Sequence, residues 1–136
     1  MRLAALTISL LACATQPQLQ QAPTRDAVAI AELERWETAR GPLPQCRNEL
    51  VSLRWDVQPV DVLGQLCRTS LTLTGCFTYD PGPPRVPVIT VAADTPRTDE
   101  QLRRIRRHEL THWLLHCSGV DDTGDPAHAG PWWSGL

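Results

Sequence analysis

Residues 108 to 112 read His108-Glu109-Leu110-Thr111-His112, and this spacing constrains the chain more than any other feature. On a helix, positions i and i+4 lie about one turn apart on the same face, so both imidazoles can reach one metal ion. Glu109 then points about 100° further round the axis, beside the ion instead of onto it. A carboxylate so placed can act on a water molecule activated by the metal. With four His and six Glu in 136 residues, the pattern should arise by chance only about 0.005 times.

The surrounding residues supply the helix. Thr98-Asp99-Glu100-Gln101 has the S/T-x-x-E/Q form of a capping box, which opens a helix. Leu102, Ile105, His108/Glu109, His112 and His116 recur at intervals of three and four as one stripe. Gly119 is a plausible stop, which predicts a helix of about 20 residues around the motif.

Catalytic zinc takes three protein ligands and keeps one position for water, so a third donor is needed. His116 continues the stripe but lies about 12 Å beyond His108 along a helix axis, out of reach of the same ion. It is expected instead to be a partly buried polar group near the helix C-terminus. His128, in Asp125-Pro126-Ala127-His128, follows a turn-rich stretch that lets the chain fold back towards the motif. His128 is the expected third ligand, with Asp121, Asp122 or Asp125 as rivals.

His108-Glu109-x-x-His112, a short glycine-containing loop, Asp125-Pro-x-His128 and a nearby tryptophan together resemble small zincin-type metallopeptidases of the short bacterial and phage-encoded kind. The resemblance covers roughly residues 70 to 133 and is strongest over the motif itself. It implies an α+β, zincin-like fold and a small antiparallel or mixed sheet packed on the motif helix and an N-terminal helix. It also implies one Zn2+ and Glu109 as general base for water attack on a peptide carbonyl. The chain departs from the metzincin pattern, which would place glycine and histidine at Leu115 and Ser118. It also lacks an obvious second-helix glutamate of the thermolysin-like kind.

The first residues carry a separate signal. Met1-Arg2, an apolar run and Leu10-Leu11-Ala12-Cys13 resemble a bacterial lipoprotein signal with its lipobox. The run is too short for a bilayer, which needs about 20 apolar residues. This predicts removal of residues 1–12 and acylation of Cys13. Residues 13–23 become a polar, Gln-rich tether for a domain spanning 24–136. Ala14 follows where inner-membrane retention often uses Asp, so the resemblance implies the outer membrane, facing the periplasm. Setting Cys13 aside, Cys46, Cys67, Cys76 and Cys117 form an even set suited to an oxidising compartment. Two disulfides are expected, with three pairings open. A bridge from Cys117 would tie the motif helix to the upstream chain. Structural zinc is the weaker use, because no C-x-x-C spacing is present.

The formal net charge of −2 makes no case for nucleic acid as a partner. A peptide or protein substrate and, through Cys13, a membrane are the expected partners. All 13 basic residues are Arg, and Arg103, Arg104, Arg106 and Arg107 cluster just before His108. Recognition of an acidic group competes here with the plainer reading, a solvated helix face.

Residues 24–40 predict a helix with Ala27, Val28, Ala31, Leu33 and Trp36 as its stripe, stopped by Gly41-Pro42. Residues 50 to 80 are strand-like: Val51–Trp55 and Leu71–Thr74 alternate at period two, and Gly75–Tyr79 runs to a Pro-Gly turn. Val86–Ala92 predicts another strand, and Pro87 argues for an edge or first position. Phe77–Tyr79 or Val88–Val91 could take an extended peptide as an added strand. Tyr79 is expected to pack rather than to serve an oxyanion; Trp132 and Trp133 could floor the site or pack beneath the helix, and packing is the expectation. Against a zinc peptidase stand two other classes, a non-catalytic metal-binding envelope lipoprotein and a phage-derived accessory protein. An intact Glu109 favours the peptidase, since a closed structural site has no use for it.

Overall fold

The computed structural model describes residues 26–67, 74–93, 97–120 and 128–133. The segment 1–12, the tether 13–23 with Cys13, residues 71–73, and Asp121, Asp122 and Asp125 lie outside the described residues.

The order is α1 (Ala27–Arg40), α2 (Pro44–Leu50), β1 (Arg54–Gln58), α3 (Val60–Leu66), β2 (Gly75–Asp80), β3 (Val86–Ala92), α4 (Asp99–Cys117) and a 3-10 turn at Pro131–Trp133. It is an α+β arrangement around a mixed three-stranded sheet of order β1-β3-β2. β3 is central, parallel to β1 with Trp55 opposite Ile89, and antiparallel to β2 with Phe77 opposite Ile89.

Helix α4 starts as its sequence demands. Thr98 is the N-cap, its hydroxyl accepts from the Gln101 amide, and the Gln101 side chain accepts from the Thr98 amide. Asp99 and Glu100 sit in the first turn, where the helix dipole favours negative charge. Gly119, at φ 73, takes the left-handed turn that ends the helix. α1 ends at Gly41, at φ 92.

The main core joins Ala29, Leu33 and Trp36 of α1 to Leu110, Trp113, Leu114 and Leu115 of α4 and to Ile89 of β3. Burial of these large side chains contributes roughly 1.5–3 kcal/mol each. Charge ties the two helices as well. Buried Glu32 on α1 takes Arg107 of α4 through one carboxylate oxygen, at 2.8 Å, and Arg35 through the other.

Two disulfides are formed, Cys46–Cys117 and Cys67–Cys76. The first ties α2 to the last residue of α4, as expected of Cys117. The second ties the residue after α3 to β2. Such bonds fit an oxidising compartment. Among the described residues, no helix is long and apolar enough to cross a membrane.

Several expectations need correction. The first strand is Arg54–Gln58 rather than 51–55, because α2 runs to Leu50 and a turn follows. Residues 60–66 are helical, not strand-like. Pro59 stands at the N-cap, Asp61 in the first turn, and Leu63 is buried. Pro87 lies in the central strand, not an edge. Its missing N–H is tolerated because the pairing with β1 begins only at Val88.

Candidate metal centre

Helix α4 places His108 and His112 one turn apart, with ring centroids 5.1 Å from each other. The short stretch before the 3-10 turn brings His128 onto the same spot. Its ring lies parallel to that of His108 at 4.8 Å, and its Nε2 is 3.1 Å from Nε2 of His112. The three rings each offer one nitrogen within 4.8 Å of the others, a group that could hold a metal ion. His116, one turn further on, is exposed rather than partly buried and stands outside this group. It packs beside Tyr79, at 5.0 Å, and Phe77, at 6.1 Å.

The donor set fits a metal on two counts. Two ligands of a tetrahedral ion with bonds of about 2.0–2.1 Å stand about 3.3 Å apart, close to the His112–His128 separation. Ligation also needs neutral imidazoles. Burial, reinforced by His112 and His128, brings His108 down to about 4, so that ring is neutral at physiological pH.

Glu109 is 4% exposed. No described residue hydrogen-bonds its carboxylate, and burial pushes it up to about 8. It lies against strand β2 at Gly75. A Cβ there would meet the Glu109 side chain at 3.1 Å and Ile105 Cγ2 at 3.0 Å. The absent side chain of Gly75 is therefore the space that the carboxylate occupies.

Trp133, expected to pack, does so at the cluster itself. Its ring centroid is 4.9 Å from His108, 4.8 Å from His112 and 4.0 Å from His128. Its Nε1 is buried without a hydrogen-bond partner. Trp132 instead lies on α1, stacked at 5.8 Å on Trp36. His128 has φ 55, the one positive φ at a non-glycine residue among those described. That conformation costs about 1–2 kcal/mol and persists only where surrounding contacts hold it.

Tyr79 is tied elsewhere, as a packing residue. Its hydroxyl donates to Glu49 Oε2 at 2.7 Å, and Trp113 Nε1 donates to the same oxygen at 3.0 Å. Of the two segments considered for an added peptide strand, Val88–Val91 is excluded, because β3 is paired on both sides. The arginine cluster is largely committed to local pairs. Arg103 and Arg104 hold Glu100, Arg107 holds Glu32, and Arg106 lies over the Trp55 ring.

The residues missed from the sequence are Gly75 and Glu49, neither of which carried a local signal. Trp133, five positions after His128, floors the cluster, the role set against packing beneath the helix. No protein-family model, curated protein or solved structure matches this chain.

Proposed function

We propose that the protein is a zinc-dependent peptidase with a zincin-like active site on α4. One observation carries the reading. Three imidazole nitrogens converge within 4.8 Å, and a buried carboxylate stands one residue along the same helix. His108, His112 and His128 would hold one Zn2+. When bound, zinc supplies a Lewis acid that acidifies water and polarises a carbonyl.

The chain's own residues do the rest. Glu109, made basic by burial, takes a proton from the attacking water and passes it to the leaving amine. The nearby divalent charge favours the carboxylate over its protonated form, so the same group starts each cycle as a base. Trp133 and the core beneath it keep bulk water from one side of the cluster, which strengthens every electrostatic contact there. β2 has a strand on one side only among the described residues. Its Phe77–Tyr79 stretch is the better candidate to take an extended peptide by strand addition. An acylated Cys13 and the polar tether 13–23 would hold this domain at the periplasmic face of the outer membrane.

The test is zinc analysis paired with peptide-library cleavage by wild type and Glu109→Gln. Wild type is expected to carry one zinc and cleave. The variant should keep zinc and lose about 10²–10⁴-fold in kcat. Full activity in the variant removes Glu109 from the mechanism. Zinc without any cleavage by wild type moves the site to a structural role.

A further inference from the structure

His128 has a left-handed conformation and opens the described stretch 128–133, where its ring meets two rings fixed on α4. Trp133 belongs to the cluster itself. Trp132 is where the stretch leaves the site and reaches α1. Its ring stacks on Trp36, 5.8 Å away at 27°, and Trp36 is 3% exposed and part of the main core. The guanidinium carbon of Arg40, the last residue of α1, is 3.3 Å from the Trp132 ring centroid and 4.2 Å from that of Trp36.

An arginine is a poor choice for stability alone at this position. Its Nη2 is buried with no hydrogen-bond partner, and burial lowers its pKa from the ordinary value. An apolar side chain would fill the space without leaving a donor unmade. What the cation adds is directional attraction to an indole face, and the indole it touches most closely is four residues from His128.

We propose that Trp36, Arg40 and Trp132 form a clamp that positions His128 in the metal centre, making the C-terminal end of α1 part of the third-ligand device. The clamp rests on the reading of the three imidazoles as a metal centre. It makes Arg40 and Trp132 positioning residues that act through His128.

The full chain serves for the test, with Zn2+ affinity read by chelator competition and ligand geometry by the visible spectrum of the Co2+ form. Arg40→Met removes the cation and keeps the length. It is expected to weaken Zn2+ about tenfold and to change the Co2+ spectrum, while Arg40→Lys retains most of the affinity. The decisive comparison is made on the His128→Ala background, where Arg40→Met should produce no further loss. A clamp acting through His128 has nothing left to position there, whereas a general packing defect would weaken the remaining pair equally. Wild-type affinity and spectrum in Arg40→Met overturn the clamp, and so does an equal loss on both backgrounds. If Arg40→Met does not fold, Trp132→Phe, which weakens the cation contact and keeps an aromatic ring, is held to the same comparison. A wild type that binds neither Zn2+ nor Co2+ overturns the metal centre itself and the clamp with it.

Discussion

Helix α4 carries two polar clusters little more than a turn apart, and they are built on opposite terms. Around Trp113 and His116 the polar groups are matched. The Tyr79 hydroxyl and Trp113 Nε1 share one Glu49 oxygen, Arg85 lies over the Tyr79 ring, and Cys117 closes the helix end with a disulfide. Beside His108 and His112 stand two that are not, and one strained residue. Glu109 is buried with no described residue bonded to its carboxylate, Trp133 Nε1 is buried without a partner, and His128 sits at a positive φ. Buried polar groups are ordinarily satisfied, so costly ones gathered on one stretch of helix are the pattern expected of a functional site. The matched end holds the fold; the His108 end carries the candidate site.

That contrast predicts which changes are felt where. The largest effect on stability belongs to the matched end. Replacing Cys46 and Cys117 by Ala opens a loop of separation 71, which costs about 4 kcal/mol. Opening Cys67–Cys76, of separation 9, costs about 3 kcal/mol. Denaturant unfolding measures both, and a cost below 1 kcal/mol for the longer loop would show that α2 and α4 hold together without it.

Next in size is the metal itself. His128→Ala should weaken zinc on the order of 10²–10³-fold, taking roughly 3–4 kcal/mol per ligand. His116→Ala, one turn along the stripe, should change affinity by no more than about twofold. Titration against a competing chelator separates them, and the reverse ranking would exchange the roles of the two ends.

Glu49→Ala should cost about 2 kcal/mol of stability, because it strands the Tyr79 and Trp113 donors. It should leave zinc affinity unchanged. A matching loss of affinity would merge the two clusters into one device.

The smallest effect is the pH dependence of the metal-free protein. Below 6.5 the unfolded chain takes up a proton that folded His108, brought down to about 4, refuses, so acid destabilises across that window. Glu109 is raised from 4.5 to about 8, so its contribution is present below 4.5 and lost as pH rises towards 8. Between 4.5 and 6.5 the two slopes oppose each other. From 6.5 to 8 the Glu109 slope is no longer opposed by His108, and it lowers stability by at most about 1.4 kcal/mol per pH unit. Thermal unfolding of Glu109→Gln should lack this alkaline fall; an unchanged fall assigns it to another group.

Legibility in the sequence followed the same physics. α4 was readable because its capping box, stripe and glycine stop are local and mutually consistent, and the His108–His112 pair came with it. β3 was readable in extent, but its place in the sheet was not, because Pro87 speaks only for its own missing N–H. α2 and α3 have seven residues each, too short for a helical period to stand out from β-branched neighbours. The disulfide pairing, the seat of Glu109 at Gly75 and the Arg40–Trp132 contact are meetings of segments far apart in the chain. No local pattern encodes them.

The most direct test is anomalous X-ray diffraction at the zinc edge from crystals of the zinc-loaded protein. The account predicts one peak bounded by nitrogens of His108, His112 and His128 at about 2.0–2.1 Å, with the fourth position left to solvent. A fourth protein ligand in that position, such as Asp121, Asp122 or Asp125, would contradict a peptidase. The absence of any peak among these three rings would contradict the metal centre.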